Sequence, residues 1–131
     1  MQGAQRIRVC FVEDEWAIAE LLRMSADGEP DLETCGILPR ADGLRAHIQQ
    51  ESPDVVVIDL TLPGVDPLIV VKEASAAGRP RFVVYSGYDD EETLDRVRAA
   101  GAFGFVSKRH DVDALLDCVR RVAAGERVEN A

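Results

Sequence analysis

The stretch Val55-Val56-Val57-Ile58-Asp59-Leu60-Thr61-Leu62-Pro63-Gly64 decides the fold. Four consecutive β-branched residues favour an extended strand that is apolar on both faces. Such a strand belongs inside a parallel sheet covered by helices on both sides. It ends in a carboxylate, and Pro63-Gly64 then turns the chain away. A carboxylate within the strand would carry a large desolvation cost. At the C-terminal end it lies where open α/β sheets bind ligands, in the crevice beyond the strand ends. Taken alone, Asp59 still reads as a turn-initiating aspartate. The other strand ends change that reading.

Working outward, residues 8–12 contain Val9-Cys10-Phe11-Val12, a first strand that stops at Glu13-Asp14-Glu15. From Trp16, the spacing of Ile18, Leu21, Leu22 and Ser25 predicts a helix that ends at Asp27-Gly28-Glu29-Pro30. Residues 32–38 form a weaker strand, expected at an edge because apolar density is low and Pro39 follows. A short helix over 42–50 then leads into the central strand. Beyond it, Asp66 caps a helix whose first position is Pro67, and Gly78 and Pro80 close it. Residues 82–85 are a buried-type strand ending in Ser86-Gly87, and 89–100 are a charged helix. That helix has a narrow apolar stripe (Leu94, Val97, Ala100), so it buries little and should be lightly held. Residues 103–106 are the last strand, ending at Ser107-Lys108, and Asp111 caps a final helix with one broad apolar face.

Strand and helix therefore alternate five times. Right-handed crossovers place the helices on both faces of one parallel sheet, a doubly wound α/β fold. The length of 131 residues suits a single domain, and 47% hydrophobic residues can fill its core. Acids outnumber bases 24 to 15, for a net charge of −9, which argues against this domain gripping a nucleic-acid backbone. Cys10, Cys35 and Cys118 lack disulfide or zinc spacing and read as small buried residues of a reducing compartment. With no membrane-length apolar run and no signal-peptide pattern, the protein is expected to be soluble and cytoplasmic. Residues 1–5 look like a loose end.

Four strand ends now carry chemistry: Glu13-Asp14, Asp59, Ser86 and Lys108. In a five-stranded doubly wound sheet, strands one, three, four and five can converge on one crevice. Three carboxylates there repel by about 4 kcal/mol per pair at about 4 Å and an effective dielectric of about 20, so a cation must sit among them. Oxygen-only ligands favour Mg²⁺ or Mn²⁺ over zinc. Lys108 and the Ser86 hydroxyl would complete a cradle for phosphoryl transfer by positioning and charge neutralisation. Each residue also has a plain alternative: acids favour a helix start, Ser86 suits a turn, and Lys108 an exposed surface.

Four motifs in order carry a resemblance: Phe11-Val12-Glu13-Asp14-Glu15, the central stretch through Gly64, Tyr85-Ser86-Gly87, and Gly101-Ala102-Phe103-Gly104-Phe105-Val106-Ser107-Lys108. From residue 8 to about 125 the chain resembles the receiver domain of two-component response regulators. The end Ala123-Ala124-Gly125-Glu126-Arg127 is similar to the NarL/FixJ-like junction that precedes a helix-turn-helix domain. The resemblance implies a flavodoxin-like strand order 2-1-3-4-5. Residues 6–125 would form the receiver, and 126–131 a tail or the start of a linker to an output domain.

The resemblance further implies that Asp59 is the phosphoacceptor, taking a phosphoryl group from a sensor histidine kinase with Mg²⁺ (or Mn²⁺). Asp14 would ligate the metal directly, Glu13 through water, and Thr61 through its backbone carbonyl. Lys108 and Ser86 would hold phosphoryl oxygens, and Phe105 is the aromatic that turns inward on switching. Thr61 and Tyr88 lie where side chains screen the phosphoryl group. The protein would be a switch rather than an enzyme, regulating transcription through a covalently linked DNA-binding domain. A stand-alone receiver, a phosphorelay intermediate and a homodimer remain open, as does a small Mg²⁺-dependent phosphatase using Asp59. Arg109 stands where many members have a cis proline, so a trans peptide or a locally different loop is expected there.

Overall fold

The computed structural model describes residues 5–131, so all but Gln5 of the expected loose end lies outside the described residues. The elements are β1 (Ile7–Val12), α1 (Trp16–Asp27), β2 (Leu32–Leu38), α2 (Leu44–Glu51) and β3 (Val55–Ile58), followed by α3 (Pro67–Ser75) and β4 (Arg81–Ser86). Then come α4 (Glu91–Ala99), β5 (Gly104–Ser107), α5 (Val112–Ala123) and β6 (Val128–Asn130). A 3-10 turn at Ala41–Gly43 precedes α2, where the sequence suggested continuous helix from 42.

All strand pairs are parallel, in the order β2-β1-β3-β4-β5-β6. The expected order 2-1-3-4-5 is present, with β2 at one edge. Strand pleating sends alternate residues to opposite faces. Thus Val56 and Ile58 join Cys10, Val12, Phe82, Val84 and Phe105 in the core beneath α2, α3 and α4. Val55 and Val57 join Val9, Phe11, Val83, Tyr85 and Val106 in the core beneath α1 and α5. At Gly104 the second face is tight: a Cβ there would lie 2.9 Å from both Cys118 Sγ and Val83 Cγ2. Glycine lets α5 lie close against β5.

Three sequence expectations need correction. The sheet has a sixth strand where a tail or linker was expected, because Val128 is buried beside β5 and its neighbours are tied down. Arg127 stacks over the Phe103 ring at 4.1 Å, and Glu129 forms a two-bond ion pair with Arg98 of α4 at 2.8 Å each. On α1 the inward residues are Ala19, Leu22 and Ala26, with Ile18 partly buried, while Leu21 is 53% exposed. Small alanines let the helix pack closely, which turns Leu21 outward. Finally, α4 begins at Glu91 with Asp90 as its cap, so Asp89 stands outside the helix. As expected, its buried side chains are Leu94 and Val97.

Caps elsewhere follow the sequence. Asp66 accepts from the Leu68 amide at the start of α3, and Asp111 from the Ala114 amide at the start of α5. No helix of the described residues is long and apolar enough to cross a membrane.

Candidate functional site

Strand register builds the site. Val12 of β1 pairs with Ile58 of β3, so Glu13 and Asp59 are the first residues beyond neighbouring strand ends. The Asp59 amide still donates to Val12 O at 3.1 Å, which fixes its backbone on the ladder. Ser86 of β4 pairs with Ser107 of β5, and the Lys108 amide donates to Ser86 O at 2.8 Å. The four strand ends are thus held at one level by main-chain bonds. Glu13 and Asp59 are each 3% exposed, whereas Asp14 faces solvent.

Carboxylate oxygens of Glu13, Asp14 and Asp59 lie within 4.8 Å of one another. Lys108 reaches in from β5, its Nζ 2.8 Å from Asp59 Oδ2 and 3.3 Å from Glu13 Oε1. The same ammonium sits 5.4 Å from the centre of the Tyr85 ring, a cation–π contact that helps desolvate it. On the other side, Asp59 Oδ1 accepts from both the amide and the hydroxyl of Thr61, each at 3.0 Å. Both oxygens of the carboxylate are therefore oriented. Burial pushes Glu13 above its ordinary carboxylate value, with the Asp59 charge adding, although the Glu15 amide and Lys108 oppose it. Burial alone would lower Lys108, but its bonds to Asp59 and Glu13 outweigh that and hold it above its ordinary value.

These residues suit a hard divalent cation. All three donors are carboxylate oxygens, two from buried residues and one open to water, and a single lysine leaves them with net negative charge. Mg²⁺ binds through one or two carboxylates while keeping several waters. Protons compete with the cation for Glu13 at a pH above the usual carboxylate range, so apparent Mg²⁺ affinity should fall as the solution is acidified toward that range. Trp16, 78% exposed and next to this acidic turn, offers the fluorescence readout. Affinity that is flat over that range would show that Glu13 does not contribute.

The remaining residues singled out by sequence are spread around this cluster. Ser86 is fully buried, and its hydroxyl accepts from the Tyr88 amide at 3.0 Å. Tyr88 itself is 61% exposed on the loop after β4. Phe105 points inward, 1% exposed, in the core that also holds Leu94 and Val97 of α4. The Lys108–Arg109 peptide is trans; among the described residues the Arg79–Pro80 bond is the cis one. Sequence reading passed over Asp89. Its carboxylate accepts from the Ser107 hydroxyl and pairs with Arg109. The available signal was the Asp89-Asp90 pair, since one helix needs only one capping aspartate.

Fold and site together define a flavodoxin-like α/β domain with an acidic pocket, closed by a lysine, at the ends of its central strands. The sequence profile described as "Response regulator receiver domain" matches residues 9–120, and the chain belongs to that family. It is a receiver of two-component signalling. The transcriptional regulatory protein LiaR of Bacillus subtilis (strain 168) is 26% identical over 92% of this chain and 57% of its own length. Protein-glutamate methylesterase/protein-glutamine glutaminase 5 of Myxococcus xanthus (strain DK1622) is 38% identical over 78% of this chain and 30% of its own. The chain thus spans little more than half of the first of these relatives and less than a third of the second. A LuxR-family two-component response regulator from Aurantimonas sp. SI85-9A1 superposes with a TM-score of 0.87 at 24% identity, covering 95% of this chain and 89% of that one. That likeness speaks to the fold.

Proposed function

We propose that Asp59 accepts a phosphoryl group from the phosphohistidine of a sensor histidine kinase, or from a small phosphodonor, to form an aspartyl phosphate. What carries the reading is the oriented carboxylate itself: buried Asp59, bonded by Thr61 on one oxygen and Lys108 on the other. An Asp59 oxygen attacks phosphorus and an O–P bond forms, while the N–P bond of phosphohistidine breaks and imidazole leaves, or the O–P bond of an acyl phosphate breaks and the carboxylate leaves. Lys108, already on Asp59, neutralises charge gathering on the phosphoryl oxygens. Asp14 and Asp59 would hold Mg²⁺, with Glu13 through water and the Thr61 carbonyl as the remaining protein ligand. The metal supplies charge neutralisation for the transferring group.

The product adds negative charge and acceptor oxygens, which would draw the Ser86 hydroxyl from the Tyr88 amide toward the phosphoryl group. The loop after β4 leads into α4, whose burial rests on Leu94 and Val97. Phe105 already fills the space beneath α4, so switching would repack an occupied core rather than bury an exposed ring. Through α4, β5 and α5 the signal would pass to an output domain following β6, which LiaR's description as a transcriptional regulatory protein suggests is a DNA-binding one. We take the receiver itself to act as a switch rather than an enzyme, and to make no nucleic-acid contact of its own.

Incubation with Mg²⁺ and acetyl phosphate, followed by intact mass, tests this reading. The wild-type chain should gain one phosphate, and Asp59→Asn none. Catalytic release of inorganic phosphate without a labelled protein would indicate a phosphatase instead. Tyr88 is exposed on the loop after β4, two residues beyond Ser86, and we take its ring to obstruct the hydrolytic water. Tyr88→Ala should therefore shorten the lifetime of the phosphorylated protein severalfold, and an unchanged lifetime would remove Tyr88 from that role.

A further inference from the structure

Three links join the loop after β4 to the loop after β5, and they bracket Lys108. Ahead of it, the fully buried Ser107 hydroxyl donates to Asp89 Oδ2 at 3.1 Å. At Lys108 itself, the amide donates to Ser86 O at 2.8 Å. Behind it, the Arg109 guanidinium pairs with the same Asp89 oxygen at 2.9 Å, while the Arg109 amide donates to Ser107 Oγ at 3.2 Å. Asp89 is free for this because Asp90 caps α4, accepting from the amide and hydroxyl of Thr93.

The links differ in weight. The Arg109 side chain is 74% exposed, and an ion pair so open to solvent contributes little by itself. The Asp89 side chain is 28% exposed and Ser107 not at all. Removing the carboxylate would leave a buried hydroxyl without its acceptor, which costs more than the bond's net worth. Asp89 is therefore the centre of the clasp, and Arg109, standing where the family often has proline, adds a second arm to it.

We propose that Asp89 is a positioning residue for phosphoryl transfer at Asp59. Through Ser107 and Arg109 it fixes the Lys108 ammonium against Asp59 and makes the Ser86 loop and the Lys108 loop move as one. This rests on the phosphoacceptor reading of Asp59 above. Asp89 touches neither Asp59 nor the transferring group, so its effect passes through Lys108.

The rate of phosphate uptake from acetyl phosphate at saturating Mg²⁺, read by intact mass, tests the proposal. Asp89→Ala should slow uptake by about threefold to tenfold, the range of one net hydrogen bond. The Mg²⁺ concentration giving half-maximal rate should not move, because Glu13, Asp14 and Asp59 are untouched. Ser107→Ala should show most of the Asp89→Ala loss, since the Arg109 arm remains, and the double variant should lose no more than Asp89→Ala, as expected where both changes remove one shared interaction. Arg109→Lys should behave as wild type and Arg109→Ala show a smaller loss. Unchanged rates, additive losses, or a rate loss accompanied by an equal shift in Mg²⁺ dependence would overturn the proposal. Amide hydrogen exchange provides an independent reading. In Asp89→Ala, amides 107–109 should exchange faster while 55–58 stay protected; unchanged exchange at 107–109 would also overturn it. If the wild-type chain takes up no phosphate, the phosphoacceptor reading of Asp59 fails, and exchange still decides the clasp.

Discussion

Lys108→Ala should reduce phosphate uptake from a small donor by roughly a hundredfold or more, the usual cost of losing one preorganised charge partner in a reacting site. Among the described residues Lys108 is the cation in contact with Asp59, and it bridges Asp59 to Glu13. Without it, two buried carboxylates face each other, Asp59 held by Thr61 and Glu13 by the Glu15 amide, with no cation between them. Mg²⁺ binding should survive, because removing a positive charge from beside the ligands does not weaken their hold on a cation. Uptake and metal binding would then separate: rate lost, Trp16 fluorescence response to Mg²⁺ kept. Loss of both would mean that Lys108 holds the pocket's shape rather than serving the transfer.

The same variant carries a pH signature whose sign is fixed. Glu13 in the folded chain already lies above its ordinary value, chiefly through burial. A carboxyl group raised in this way binds more protons when folded than when unfolded. Its contribution therefore makes stability rise as pH falls through that window. Taking away Lys108 removes one of the influences that hold Glu13 down. In metal-free buffer, lowering the pH toward the carboxylate range should therefore favour the variant's stability more than the wild type's. Equal gains in both proteins would show that Lys108 does not act on Glu13.

Much of this site was legible because its residues sit at strand ends, and strand ends are what sequence marks best. Val55 to Ile58 is apolar on both faces, so its burial needed no tertiary information, and Asp59 stood out against it. The same logic exposed Glu13, Ser86 and Lys108. What escaped depends on partners distant in the chain. Val128 is one apolar residue among Arg127, Glu129 and Asn130, too short a pattern to announce a strand. It becomes one because the β5 edge, the Phe103 ring and Arg98 of α4 are there to receive it. Leu21 failed for the opposite reason. Its spacing fits a helical stripe, but the sheet accepts the alanine-rich face one step around the helix. Asp89 shows a third kind of loss, since a helix-start aspartate and a loop clasp look alike until Ser107, residue 18 positions away, is seen against it.

Phe11→Ala should cost about 3–5 kcal/mol of folding stability, the range for truncating a buried phenylalanine. Phe11 has no exposed surface and lies on β1 between β2 and β3, in the core beneath α1 and α5. Domains of this size have about 5–15 kcal/mol in total, so the variant should keep its fold with a melting temperature lower by about 10–20 °C. In urea the midpoint should fall without a change in slope, because the surface exposed on unfolding is nearly the same. Glu13 and Asp14 follow directly on this strand, which makes the Mg²⁺ response informative. An ion that binds only the folded state adds a stability set by its concentration and affinity, about 2.7 kcal/mol at a hundred times the dissociation constant. If the cavity stays within the core, saturating Mg²⁺ should stabilise variant and wild type by the same free energy. A smaller increment in Phe11→Ala would mean that core packing beneath β1 sets the geometry of the acidic turn, and that the strand ends are positioned by side chains as well as by the ladder.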